Sequence, residues 1–208
     1  FDKMISAPNT IDIVKTETIN KNLVQRFKKK EYINTIKKIK ERIKLGDIYE
    51  LNFCIDYYAK NINIDPYQSY NNLNLLTESP MSVFFKYNSL YVISSSPERF
   101  IKRNNNKITT EPIKGTIRKN RIRHEDLKNI SYLKNNSKEL SENHMIVDLV
   151  RNDLSKIACK GSVKVKELAS LYSFKNVHQL ISSVEAEIKE STKFSEILKS
   201  SFPMGSMT

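Results

Sequence analysis

Two seven-residue stretches, MSVFFKY over 81–87 and LYVISSS over 90–96, stand on either side of Asn88-Ser89. Both are rich in β-branched and aromatic residues, and a two-residue connection closes only an antiparallel pair, because parallel strands need a long crossover. A β-hairpin is predicted here. A second strand pair is predicted to flank the turn at Asn104 to Asn106.

Helical patterns surround these hairpins. Ile33, Ile36, Ile39 and Ile43 recur at helical spacing, and Gly46 stands where such a helix would stop. The segment that follows, DIYELNFCIDYYA over 47–59, alternates. Its pattern predicts a strand with Tyr49, Leu51, Phe53, Ile55 and Tyr57 on one face and Glu50, Asn52, Cys54 and Asp56 on the other. Asp65-Pro66 reads as a helix entry. After a loop around Arg118 to Arg123, Asn136-Ser137-Lys138-Glu139 has the capping-box signature of a helix reaching about Leu154. A short strand at Ser162 to Val165, a helix near Leu168, a long strand from Val177 to about Ile188 and a last helix from Thr192 to Ser200 complete the expectation. Hairpins mixed with helices indicate an α+β fold. With no repeat or linker, residues 1–208 read as one domain, cut short, within a longer protein.

Charge and cysteine usage bound the function. The formal net charge is +12, but the lysines are scattered among asparagines, without aromatic-interleaved basic motifs or zinc-finger spacing. This argues against nucleic-acid binding and leaves a positive potential able to draw in a small anionic substrate. No apolar run is long enough to span a bilayer. Cys54 and Cys159, the two cysteines, lie far apart, which suits a reducing compartment, the cytoplasm.

Three residues invite a chemical role. On a helical projection Glu142 falls with Met145, Ile146 and Leu149, which would place a carboxylate in an apolar stripe. Such a group needs a buried ion-pair partner or a metal ion, and an oxygen donor without paired histidines favours Mg²⁺ over zinc. Glu98, after Pro97 in SSSPERF, is placed to be a general acid or base, or else to pair with Arg99. Lys114 in TEPIKGT follows Ile113 and precedes Gly115. That frame could shelter it enough to act as a nucleophile, and the alternative is a strand-end lysine reaching solvent.

Taken in order, GDIYELNF, SSSPERF, TEPIKGT, ENHMIVDLVRNDL, GSVKV, VHQLISSV and FPMGS resemble the chorismate-utilising enzymes over nearly the whole chain. That family includes anthranilate, aminodeoxychorismate, isochorismate and salicylate synthases. The resemblance implies its fold of antiparallel sheets layered with helices, here incomplete. Lys114, where anthranilate synthases usually have Ala, is similar to the aminodeoxychorismate synthase form. It implies that Lys114 attacks C2 of chorismate as the C4 hydroxyl leaves, before ammonia displaces it. It further implies Glu98 as the acid or base, Gly115 and Thr116 as substrate-binding residues, and Glu142 as a ligand of Mg²⁺. Ammonia would come from a glutamine amidotransferase partner, and the product would lead to 4-aminobenzoate and folate. Gln179, with His178 before it, stands where the family often has His; Glu50 replaces a frequent Gln, and Ile117 a frequent Arg. The other readings are an anthranilate, isochorismate or salicylate synthase, a fragment inactive alone, or a non-catalytic interaction module that keeps the fold.

Overall fold

Strand β9, Val177–Glu187, organises the larger part of the molecule. The computed structural model describes residues 23–48 and 50–205. These fall into two compact units, one of residues up to 76 with 84–93, the other of 77–83 and the chain from 94 onward.

In the first unit, β1 (Val24–Gln25) pairs with β2 (Tyr57–Tyr58), beside α1 (Lys29–Leu45). Gly46 ends α1 in a left-handed conformation, φ 78°, and its amide donates to the carbonyls of the last turn, as the glycine signal predicts. The Phe53 ring packs against Phe27 and Tyr32, with centroids 5.2 and 5.6 Å away. Helix α2 (Pro66–Thr77) begins where Asp65-Pro66 predicts, and Asp65 Oδ1 accepts from the amides of Tyr67 and Gln68 at 2.8 and 3.0 Å. The hairpin of β3 (Met81–Tyr87) and β4 (Leu90–Ser96) forms as read, with Asn88 at φ 52° in its turn.

The second unit holds β5 (Arg99–Asn104), β6 (Lys107–Glu111), β7 (Ile113–Arg118), β8 (Lys164–Ser173) and β9. All pairings are antiparallel: β6 and β7 share one side of β9, and β8 runs along the other. Helices α3 (Arg123–Asn135), α4 (Ser137–Ser155) and α5 (Phe194–Ser201) accompany them. Asn136 caps α4, its Oδ1 accepting from the Lys138 and Glu139 amides at 3.0 and 3.2 Å. The core joins Ile108 of β6 and Val184 and Ala186 of β9 to Ile146, Val147, Val150 and Leu154 of α4 and Ile197 of α5.

Within this core one polar side chain ties three elements together. Asn143 is 1% exposed, and its Nδ2 donates to the Leu180 carbonyl at 3.2 Å and the Lys114 carbonyl at 3.4 Å. Its Oδ1 accepts from Ser182 Oγ, which in turn accepts from the Ala169 amide at 2.8 Å.

Several expectations need correction. Of the alternating segment 47–59 only Tyr57–Tyr58 is strand among the described residues, because just Val24–Gln25 pairs with it there. A pleated face forms only against a ladder partner, and Leu51, Ile55 and Tyr57 stay exposed. Tyr49 lies outside the described residues. The helix expected near Leu168 is instead part of β8, which adapts to β9 through two register shifts with Ala169 at φ 47°. Helix α3 was not foreseen; of its residues only Leu133 is buried, so its apolar periodicity is weak. The acidic first turn, Glu125 and Asp126, was the usable signal. Among the described residues no helix is long and apolar enough to cross a membrane.

Asn143→Ala should lower the unfolding free energy of the full-length protein by about 3 kcal/mol, since it opens a small void and strands Ser182 and two carbonyls. Urea denaturation measures this, and a loss below about 1 kcal/mol would contradict the bridging role.

Candidate functional site

The lysine singled out in the sequence sits on a backbone irregularity. Ile113 pairs with Ile181 and Thr116 with Gln179, so three steps along β7 match two along β9. The extra residue is a β-bulge at Lys114-Gly115, a device that re-aims side chains. Gly115 permits it, with φ +91°, and a Cβ there would lie 3.2 Å from Leu180 Cδ1 and 3.3 Å from Glu139 Cβ. Lys114 is half-buried, and its carbonyl is held by Asn143.

Glu98 comes to the same neighbourhood from the turn between β4 and β5. Its amide is held by Ser96 Oγ at 3.1 Å, and its Oε1 accepts the Ile113 amide at 3.3 Å. The two predicted catalytic side chains therefore spring from hydrogen-bonded neighbours. Arg99 is not the partner of Glu98: its Nε donates to Glu111 Oε2 at 2.8 Å. Thr116, just past the bulge, is exposed, and its Oγ1 accepts from Gln179 Nε2 at 3.2 Å.

The expected burial of Glu142 is corrected. The buried stripe of α4 runs through Asn143, Ile146, Val147, Val150 and Leu154, one residue out of phase with the projection through Met145 and Leu149. Glu142 is 36% exposed, with Lys138 Nζ 3.5 Å from its Oε1, and the polar side chain in the stripe is Asn143. Glu139, one turn before Glu142 and overlooked in the sequence, lies against Gly115. Its position three residues earlier on the same helix was the available signal. Asp153 stands near the end of α4, paired with Lys156 at 2.8 Å, and His144 is exposed.

A cleft of about 1090 Å³ lies beyond the bulge at the end of β7 and is lined by Arg118, Lys119, Arg121 and Lys175 with three asparagines. It includes none of Glu98, Lys114 or Glu142. Its cations contribute to a positive field over this end of the sheet, suited to attracting anions toward the unit. Beneath it His178, 1% exposed, joins Ser173 Oγ through Nδ1 at 2.7 Å and Asp126 Oδ1 through Nε2 at 3.0 Å. The Asn120 amide, 2.6 Å from Asp126 Oδ1, and then His178 hold the Asp126 carboxyl below the usual carboxylate range.

The chain is similar to known proteins over most of its length. A family model described as chorismate binding enzyme matches residues 6–208. The chain is 36% identical over 191 residues to aminodeoxychorismate synthase component 1 of Escherichia coli K12, covering 92% of this chain and 42% of that protein. It is 32% identical over 198 residues to anthranilate synthase component 1 of Aquifex aeolicus, covering 95% and 40%. It thus spans about two fifths of the length of these relatives. The crystal structure of anthranilate synthase component I from Streptococcus pneumoniae superposes with a TM-score of 0.78 at 24% identity, over 88% of this chain and 40% of that one. This last likeness shows the fold.

Because the folded state holds the Asp126 pKa down, its contribution to stability is present above the ordinary carboxylate pKa and fades as pH falls through the depressed value. The stability gap between wild type and Asp126→Asn should therefore narrow from pH 7 to about pH 3. Urea titrations across that range test it, and a gap constant with pH would contradict the assignment.

Proposed function

The chain belongs to the chorismate binding enzyme family, and we propose that the whole protein is an aminodeoxychorismate synthase component 1 that replaces the C4 hydroxyl of chorismate with an amino group from ammonia. The observation that carries this reading is Lys114, half-buried on a glycine bulge whose backbone is held by Asn143 and adjoined by Glu98.

The chemistry balances with these two side chains. The neutral Lys114 amine bonds to C2, the two conjugated ring double bonds each shift one position toward C4, and the C4–O bond breaks while Glu98 supplies the proton that lets the oxygen leave as water. Ammonia then bonds to C4, both double bonds shift back, and the C2–N bond to Lys114 breaks. The new ammonium at C4 returns a proton to Glu98, so the net exchange is ammonia for water.

Glu142 and Glu139, one turn apart on α4, suit a hard cation that takes one or two carboxylates and completes its shell with water and substrate. Among the described residues no group of three His, Cys, Asp or Glu could hold a metal ion, so these two would be this chain's share of a Mg²⁺ site. A bound Mg²⁺ would neutralise and orient a substrate carboxylate. The term component 1 in the relatives' names supports a second component, which we assign as the glutamine amidotransferase that releases ammonia. Cys54 and Cys159 are free and exposed, in keeping with a cytoplasmic enzyme of folate synthesis.

The full-length protein, given chorismate, Mg²⁺ and ammonia, should form aminodeoxychorismate; anthranilate with pyruvate, or isochorismate, would move it to another branch. Without ammonia, intact mass spectrometry should find wild-type protein carrying chorismate less one water, and Lys114→Ala should lose both that adduct and at least about 10²-fold in rate. Glu142→Gln should shift the Mg²⁺ activation curve about tenfold or more toward higher concentration, and an unchanged curve would remove Glu142 from the metal site.

A further inference from the structure

Among the described residues, one buried atom near the bulge is left without a partner. Gln179, 8% exposed, is held on the central strand, opposite Thr116 on one side and Tyr172 on the other, so these three side chains share a face of the sheet. Tyr172 donates its hydroxyl to Glu167 Oε2 at 2.7 Å, and Gln179 Nε2 donates to Thr116 Oγ1. Gln179 Oε1 is buried and accepts no hydrogen bond among the described residues. A buried unpaired carbonyl oxygen costs about 1–3 kcal/mol, a penalty that a ligand donor group arriving there would relieve.

Resting on the reaction proposed above, we infer that Gln179 is an ammonia-binding residue: its Oε1 accepts an N–H of the incoming ammonia beside Thr116, which pairs with Gln179 across the sheet and lies two residues past the lysine that the ammonia displaces. The chemistry of the reactants selects this occupant. The carboxylates of chorismate offer only acceptors and would be repelled by a carbonyl oxygen. Its hydroxyl is a donor but departs in the first half of the reaction. Ammonia brings three N–H groups and needs only its lone pair for bonding to carbon. Held by one N–H on Gln179, it keeps that lone pair directed away from the protein. Thr116 fixes the amide by accepting from its other end.

The test uses the full-length enzyme with ammonium salts as the nitrogen source and reads KM for ammonia and for chorismate separately. Gln179→Met keeps the length of the side chain and removes the acceptor, and should raise KM for ammonia about tenfold with KM for chorismate within about twofold. Gln179→Glu keeps an acceptor oxygen and should restore KM for ammonia to within about threefold of wild type. An unchanged KM for ammonia in the Met variant overturns the inference while leaving the amination reading intact. A rise confined to KM for chorismate also overturns it, assigning the amide to the substrate. Wild-type enzyme that converts chorismate but ignores ammonia would overturn both, an outcome distinct from the other two.

Discussion

A buried amide on a helix sets the position of everything around the bulge. Asn143 spends its nitrogen on carbonyls of β7 and β9 and its oxygen on a serine of β9 that also holds the backbone of β8. Helix α4 and three strands are thus joined through one side chain within the apolar packing of Ile146, Val147 and Leu180. Apolar contacts are tolerant of small slides, whereas a satisfied buried hydrogen-bond network admits a single register. The bulge at Lys114-Gly115 frees carbonyls from regular ladder pairing, and Asn143 occupies that gap. Irregular backbone and polar helix residue are each costly alone and compatible together.

This arrangement explains how an ordinary lysine acquires a defined direction. A regular strand would alternate Ile113, Lys114 and Gly115 across the sheet, but the extra residue breaks that alternation at the lysine. The glycine that allows the break also lets Glu139 and Leu180 close against the backbone, narrowing the room around the bulge. Glu98 then caps the Ile113 amide, which binds the segment before β5 to the start of β7. The backbones that carry Lys114 and Glu98 are consequently each held by a hydrogen bond of their own main chain, to Asn143 and to Ser96.

What could be read from the sequence follows the range of the forces involved. Gly46, Asp65-Pro66, Asn88-Ser89 and Asn136 act on their own backbone within a few residues, and each marked a boundary seen in the fold. The segment 47–59 and Leu168 depended on which strand lay alongside, information that is not local, and both expectations gave way. The helix carrying Glu142 was found but its phase was off by one residue, about 100° of rotation. That shift exchanged a buried carboxylate for a buried asparagine, because Leu149 and Met145 looked more decisive than the sheet they had to face. Motif order was robust to such errors, since the family match relies on which residues recur along the chain and not on which way each one points.

The two faces of β9 sort its polar groups by purpose. His178 and Ser182 point to the helices, and their polar atoms engage Asp126, Ser173, Asn143 and the Ala169 amide. On the opposite face Gln179 stands with Thr116 and Tyr172, in a row where exposure is greater. Polarity inside a packed interface has to be matched at folding, for no later arrival can supply the missing bond. Polarity on a face that a reactant can reach tolerates being left unmatched, because the reactant completes it, and the unmatched atom then favours whichever reactant carries the complementary group. The alternation of a single strand, with a period of two residues, is therefore enough to separate the side chains that hold this unit together from those free to choose what it binds.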